Sequence, residues 1–234
     1  MAIALLIRHG RTSANATGVL AGRTAGVSLD DKGVEQARTL SERLSTVVLA
    51  AVISSPLERT RQTADALLVG RNPAPPLHLD ERVMEADYGD WTNQKLATLA
   101  KDPLWKVVQA QPSAVVFPQG EAMVEMASRA VTAVREWDAR ISDEHGPNAV
   151  FAVVSHGDVI KAITADALGM HLDSFQRLSC DPCSLTAVRY TAVRPFVLRM
   201  NDTGGSIDAF MPPPKGKRGR KPKTDAAVGG GAGH

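Results

Sequence analysis

Short apolar runs alternate along the chain with segments of helical periodicity. The runs at residues 3–7, 47–53 and 149–154 are almost entirely apolar and lead into polar, turn-forming segments. Such runs are typical of strands that are buried on both faces of a parallel sheet. Two further stretches, 185–190 and 195–200, are joined by a short connection, which predicts an antiparallel pair that closes the sheet.

Helical patterns fill the intervals between these runs. Asp30 predicts the start of a helix whose apolar face comprises Val34, Ala37, Leu40, Leu44 and Val48. Pro56 suits the first turn of a helix over 57–69, and the spacing predicts two more helices over 121–141 and 159–168. Strands separated by helices predict an α/β fold, with a mixed, mostly parallel sheet covered by helices on both faces.

Composition divides the chain into a domain and a tail. We expect a single domain over residues 1–210, in which the irregular, proline-rich segment 73–118 forms a lid-like insertion over one end of the sheet. Residues 211–234 are dominated by Pro, Gly, Lys and Arg. That composition buries too little apolar surface to offset the entropy of ordering, so it predicts a disordered basic tail.

Charge is distributed unevenly between these two parts. The tail holds six basic residues and one aspartate, so the net charge of +2 for the whole chain leaves about −3 for residues 1–210. An anionic ligand would therefore need a local cluster of cations in the domain. No apolar run is long enough for a membrane span or a signal peptide, and two cysteines do not make a disulfide framework. These features predict a soluble, cytoplasmic protein with no membrane partner.

Reactive side chains follow three of the predicted strands. Arg8 and His9 follow the first, Arg59 comes shortly after the second, and His156 follows the third. Ligands of open α/β sheets bind beyond the carboxyl ends of the strands, so we expect these four side chains to converge at one edge. Two guanidinium groups beside two imidazoles suit a phosphoryl group, because arginine forks match phosphate oxygens.

The motifs that carry these residues resemble, in order, those of the histidine phosphatase superfamily, which includes the cofactor-dependent phosphoglycerate mutases. The resemblance covers about residues 2–202. The matching segments are Arg8-His9-Gly10-Arg-Thr12-Ser-Ala-Asn15, Gly22-Arg23, Ser54-Ser55-Pro56 through Ala64, Glu85-Ala-Asp-Tyr88-Gly89-Asp-Trp91, Phe117-Pro118-Gln-Gly120-Glu121 and Ser155-His156-Gly157. One Arg-His-Gly tripeptide would be a weak signal, whereas several motifs in one order indicate the phosphoglycerate mutase-like fold.

The resemblance implies a mechanism in two steps. His9 would take the phosphoryl group as nucleophile, and Glu85 would act first as general acid and then as general base. Arg8, Arg59 and His156 would hold the phosphoryl group. The implied substrate is a small phosphorylated metabolite, and no metal or other cofactor is implied. The substrate-binding residues implied in addition are Gly10, Thr12, Asn15, Arg23 and Gly157.

Two departures from the mutases of this superfamily favour a phosphatase. Leu96 occupies the position of a lysine in the mutases, and Lys95 is displaced from it by one residue. No Arg-Arg pair occurs between Glu85 and His156, where the mutases have one that grips a second acid group of the substrate. A phosphomutase remains the alternative, and it would need a bisphosphate primer.

Two other features suggest functions of different classes. Cys180 and Cys183 have the spacing of a redox pair or half a zinc site, but a strand follows them and no further ligands are near, so we expect two buried thiols. Residues 217–223 resemble an AT-hook; weak contact with nucleic acid, or a role in solubility, is favoured over specific DNA binding. A protein that binds a phosphorylated ligand without turnover would have no use for both His9 and Glu85.

Overall fold

A computed structural model of the protein describes residues 1–204. Its centre is a single sheet of six strands in the described range. The strands are β1 (Ile3–Arg8), β2 (Ala51–Ser54), β3 (Leu77–Leu79), β4 (Val150–Ser155), β5 (Leu185–Arg189) and β6 (Phe196–Asp202).

The sheet is mixed and mostly parallel, as the sequence predicts. Its spatial order is β3-β2-β4-β1-β5-β6. The first four strands in this order run parallel to one another, whereas β5 and β6 form the antiparallel pair at the other edge. The three strands that carry the reactive side chains, β2, β4 and β1, are therefore direct neighbours.

Helices cover both faces of the sheet. The α-helices are α1 (Ser13–Thr17), α2 (Asp31–Arg43), α3 (Glu58–Leu68), α4 (Leu96–Leu99), α5 (Pro103–Ala110), α6 (Met123–His145) and α7 (Gly157–Ala167). Leu6 of β1 lies in the core that includes α6 and α7, whereas its neighbour Ile7 lies in the core that includes α2 and α3. This alternation follows from the two-residue period of a strand, and it explains why a strand buried on both sides has no polar face.

Several predicted boundaries are wrong. Helix α2 ends at Arg43, and Val34 and Val48 are exposed rather than part of its buried face. Ala37, Leu40 and Leu44 are buried as predicted, and Gly33 joins them on the face that packs on the sheet. Strand β2 starts only at Ala51, because residues 44–50 form the connection from α2. Helix α6 runs four residues beyond the predicted end.

The segment 73–118 contains a strand that the sequence analysis missed. Strand β3 pairs with β2 in parallel at the edge of the sheet. Three residues are too few to show a period of two, which is why the pattern did not indicate a strand. The rest of the segment consists of single turns of 3₁₀ helix and the short helices α4 and α5. Its role as a lid stays a prediction.

Residues 205–234 lie outside the described range, and so does the prediction of a disordered basic tail over 211–234. Among residues 1–204, no helix is both long enough and apolar enough to cross a membrane.

Candidate active site

The carboxyl ends of β1, β4 and β2 meet at one edge of the sheet. Arg8 pairs with Ser155 in the register of β1 and β4, and Ser54 pairs with Val154 in the register of β2 and β4. His9 directly follows Arg8, and His156 directly follows Ser155. The two histidines therefore lie side by side, with their ring centroids 5.3 Å apart. The expected convergence of the two histidines follows from sheet register alone.

His9 holds a defined tautomer. Its Nδ1 lies 2.7 Å from the carbonyl oxygen of Gly10, and a carbonyl can only accept, so Nδ1 carries the proton. Its Nε2 accepts a hydrogen bond of 3.3 Å from Nε of Arg59. The lone pair of the ring is therefore on Nε2, in the pocket that His9 shares with Arg59 and Glu85. A neutral imidazole with a positioned lone pair is suited to nucleophilic attack.

Arg59 is the central cation of the site. It lies in the first turn of α3, is almost completely buried, and contacts both histidines. Its Nη2 donates to the carbonyl oxygen of Gly22 at 2.7 Å and to Nδ1 of His156 at 3.3 Å. A single guanidinium thus links the β1 end, the β4 end and the loop at residue 22.

His156 has the opposite tautomer to His9. Because Arg59 can only donate, Nδ1 of His156 is an acceptor, and Nε2 carries the proton that is donated to Oγ of Ser55 at 2.9 Å. Ser55 lies at the end of β2, where its own N–H donates to the carbonyl oxygen of Val154. All three strand ends are therefore connected through one chain of hydrogen bonds.

The surroundings of both histidines favour their neutral forms. Burial lowers the pKa of His9 well below its usual 6.5, and the charges of Arg59 and Arg8 lower it further. Burial, Arg59 and His9 likewise lower the pKa of His156. His9 is consequently neutral, and so nucleophilic, at neutral pH.

Glu85 lines the same pocket, and its pKa is shifted upward, in the direction opposite to that of the histidines. Its side chain is buried, and burial followed by the charge of Asp158 raises its pKa from 4.5 to about 7, against the opposing effects of Arg59 and Arg8. A carboxyl group with this pKa exchanges protons readily at neutral pH. Its Oε1 accepts a hydrogen bond of 3.0 Å from the N–H of Ala86.

A clamp of two arginines holds the backbone at Glu85. Arg23 donates through Nε to the carbonyl oxygen of Glu85 at 2.9 Å, and Arg129 donates to the same oxygen at 3.1 Å. Both guanidinium groups also bind the carboxylate of Glu121, at 3.0 Å and 2.6 Å. The position of the acid therefore depends on residues from three separate segments of the chain.

A buried polar chain lies behind the acid. Tyr88, three residues after Glu85, donates to a carboxylate oxygen of Asp158 at 2.9 Å. The other oxygen of Asp158 is 3.3 Å from Nζ of Lys161, which donates to Gln176 at 2.6 Å. This arrangement keeps a negative charge close to Glu85, in the interior of the protein.

The remaining residues expected in the site fall into two groups. Thr12 and Asn15 line the pocket, where each accepts a hydrogen bond from the other at the start of α1. The others do not line it. Arg8 is fully buried and donates to the carbonyl oxygen of Cys180 at 2.7 Å, Gly10 packs against Gly33 of α2, Arg23 belongs to the clamp, and Gly157 is the first residue of α7.

The two thiols are buried and reduced, as expected. Cys180 and Cys183 are free cysteines, and burial raises the pKa of each. Within residues 1–204, no group of three or more His, Cys, Asp or Glu side chains is arranged to hold a metal ion.

Sequence reasoning assigned no role to several residues that shape the site. Ser55, Tyr88 and Glu121 stand within the recognised motifs, so their positions signalled involvement but not the contacts they make. Arg129 and Asp158 gave no signal. Each acts through a partner more than forty residues away, and local patterns do not reveal such contacts.

Comparisons with known proteins show which family and which relatives this sequence is similar to. The profile of the histidine phosphatase superfamily (branch 1) matches residues 4–203. The chain is 30% identical over 188 residues to a probable phosphoglycerate mutase, GpmB, of Proteus mirabilis, a match that covers 79% of this chain and 83% of the relative. It is also 30% identical over 174 residues to a glucosyl-3-phosphoglycerate phosphatase of Mycolicibacterium vanbaalenii, covering 73% of this chain and 76% of the relative.

A solved structure is similar over nearly its whole length. YhfR of Bacillus stearothermophilus superposes with a TM-score of 0.77 at 27% sequence identity, and the match covers 86% of this chain and 98% of YhfR.

Proposed function

This chain belongs to the histidine phosphatase superfamily, and we propose that it is a phosphatase that hydrolyses a small phosphomonoester through a phosphohistidine at His9. One observation carries the proposal. The lone pair of His9 Nε2 and the carboxyl group of Glu85, whose pKa is about 7, share one pocket with the guanidinium of Arg59. A nucleophile, a proton donor and a cation are the groups that phosphoryl transfer requires.

In the first step, Nε2 of His9 attacks phosphorus and the P–O bond to the organic group breaks. The protonated carboxyl of Glu85 gives its proton to the departing oxygen, which leaves as an alcohol. The positive charge that develops on the imidazole is stabilised because Nδ1–H donates to the carbonyl of Gly10. Arg59 exchanges its contact with Nε2 for the phosphoryl oxygens, and the buried charge of Arg8 adds to the positive potential.

In the second step, water attacks the phosphohistidine. The carboxylate of Glu85 takes a proton from this water, the P–N bond breaks, and inorganic phosphate is released. His9 regains its lone pair and Glu85 its proton, so the site returns to its starting state without a further reactant.

The pocket lining favours transfer of the phosphoryl group to water over its transfer to another position of a substrate. Leu96 lines the pocket, whereas the adjacent Lys95 is exposed and does not line it. Lys95 therefore does not supply the cation that the mutases have at the position of Leu96. A phosphomutase remains the second candidate because GpmB, a relative at 30% identity, is named a probable phosphoglycerate mutase. Turnover that depends on a bisphosphate primer would favour it.

The decisive test compares His9→Ala with the wild type. We expect wild type to release phosphate from phosphomonoesters in the presence of EDTA, and His9→Ala to lose turnover by a factor of about 10³ or more while remaining folded. Acid-labile phosphate on the wild-type protein after rapid quenching would identify the intermediate. His171→Ala, which changes an exposed histidine, serves as the matched control and is expected to retain activity.

Retention of full turnover by His9→Ala would overturn the mechanism. Binding of phosphorylated ligands by the wild type without any release of phosphate, with or without a primer, would indicate a binding protein instead.

A further inference from the structure

The wall of the pocket beside the reactive groups is apolar. The side chains that line it there are Ala14, Val19, Leu20, Ala21 and Leu96. In a site that handles a phosphate, such a surface has no contact to offer the phosphoryl oxygens. It is positioned instead to contact the organic part of the ester.

Backbone hydrogen bonds join the two segments that form this wall. The N–H of Leu20 donates to the carbonyl of Gln94, the N–H of Leu96 donates to the carbonyl of Gly18, and Val19 forms a bridge with Lys95. The loop before Arg23 and the segment that starts α4 are thus joined side by side.

Lys95 and Leu96 differ in their relation to the pocket. Lys95 is the extended N-cap residue of α4, and Leu96 is the first residue of that helix. Leu96 lines the pocket, and Lys95 is exposed. The ammonium group of Lys95 is therefore not part of the pocket lining.

The arginines on the surrounding segments already bind carboxylates of the protein. Arg11 pairs with Asp30 at 2.8 Å, and the clamp arginines Arg23 and Arg129 share Glu121. The ionisable side chains lining the pocket itself, within the described residues, are His9, Arg59, Glu85 and Tyr88. Among the described residues of this lining, Arg59 is the one side-chain cation, and the proposed mechanism uses it for the phosphoryl oxygens.

We propose that the substrate is a phosphomonoester whose organic group carries no carboxylate, and that Leu96 is a specificity-determining residue that disfavours one. The proposal rests on the phosphatase function proposed above. A carboxylate placed against the apolar side chains of this wall would lose hydration without gaining a cation there, which is costly. The chain would then differ from relatives whose names indicate phosphoglycerate compounds.

The test uses two esters with the same carbon skeleton. Glycerol 3-phosphate ends in a hydroxymethyl group where 3-phosphoglycerate has a carboxylate. We expect wild type to favour glycerol 3-phosphate in kcat/KM by about tenfold or more, and Leu96→Lys to reduce or reverse that ratio. Comparing the ratio between variants cancels differences in leaving-group chemistry. Phenyl phosphate reports whether the site turns over an apolar ester.

Two control variants separate charge from other effects. Leu96→Gln changes the wall without adding a cation, so it is expected to shift the ratio less than Leu96→Lys. Lys95→Ala removes the adjacent exposed cation and is expected to leave the ratio unchanged. Circular dichroism establishes that each variant is folded.

The outcomes distinguish this inference from the proposed function. A wild type that prefers 3-phosphoglycerate, or a ratio that Leu96→Lys does not move, overturns the substrate class while the phosphatase stands. Absence of phosphate release from all three esters, together with absence of acid-labile phosphate on the wild-type protein, overturns both.

Discussion

At the scale of residues, the chemistry depends on two groups whose pKa values are moved in opposite directions by the same buried environment. Burial disfavours the charged form of each, so it lowers the pKa of His9 and raises that of Glu85 to about 7. The charge of Arg59 lowers the pKa of both, and Asp158 offsets it only at Glu85. A neutral base and an acid that is about half protonated therefore coexist in one pocket at neutral pH.

This arrangement predicts a descending alkaline limb in the pH profile. Glu85 must be protonated to donate, so kcat/KM is expected to fall as the pH rises above about 7. Asp158→Asn removes a negative charge that raises the pKa of Glu85, so the limb is expected to move to lower pH. The variant would then lose more activity relative to wild type at pH 8 than at pH 6.

The position of the limb is measured from initial rates, which makes it independent of the fraction of active protein. Asp166→Asn, on the same helix but partly exposed and paired with Arg135, is the matched control and is expected to leave the limb in place. An unmoved limb in Asp158→Asn would falsify the role assigned to this carboxylate.

At the scale of elements, the loop after β1 is held by direct backbone contact with α2. A Cβ placed on Gly33 would lie 2.0 Å from the carbonyl oxygen of Arg11, and one placed on Gly10 would lie 2.6 Å from that of Gly33. Only glycine lets the two segments approach so closely. Because this loop contains Thr12 and follows His9, the packing of α2 supports the geometry of the site.

Gly33→Ala tests this contact, because the change in stability that we expect is opposite in sign to the change that helix propensity alone predicts. Alanine in a helix normally stabilises by about 1 kcal/mol relative to glycine. Here the added methyl group must displace backbone, and we expect a loss of about 1–3 kcal/mol in the free energy of unfolding. The shifted loop should also lower kcat/KM.

Urea denaturation and steady-state kinetics measure the two effects. Thr39→Ala, at an exposed position of the same helix, controls for propensity and is expected to be neutral or slightly stabilising. A Gly33→Ala protein that is more stable than wild type would contradict the close approach of loop and helix.

The elements also show where sequence patterns succeed. Strands β1 and β4 were predicted within one residue of their bounds, because both are buried on both faces and read as unbroken apolar runs. Val48 was assigned to a buried helix face and is 86% exposed, because the apolar periodicity of the sequence continues past Arg43, where helix α2 ends. Strand β3 was missed since its pairing with β2, rather than its own three residues, makes it a strand.

At the scale of the whole molecule, the groups that the proposed mechanism uses all belong to the described domain. Every group used in the proposed mechanism lies between Arg8 and His156, and the basic segment 215–223 lies outside the described residues. We therefore expect removal of residues 211–234 to leave kcat/KM and the unfolding temperature unchanged. Binding of the full chain to DNA is expected to be weak and to disappear with salt.

Gel-shift titrations of the full and shortened chains at two salt concentrations, with phosphate release measured in parallel, check both expectations. Tight DNA binding that requires residues 211–234 would show that the tail has a function of its own. A fall in turnover on truncation would show that the tail contributes to the site.

The sequence by itself determined the family, the sheet architecture and the meeting of His9, Arg59 and His156. These follow because parallel strands present their carboxyl ends at one edge, so a motif after each strand implies proximity without knowledge of packing. Tertiary structure alone decided the acidity of Glu85, the clamp on its backbone and the apolar wall beside it. Each depends on contacts between residues that are distant in the chain, and burial and charge around a group exist only once those segments pack together.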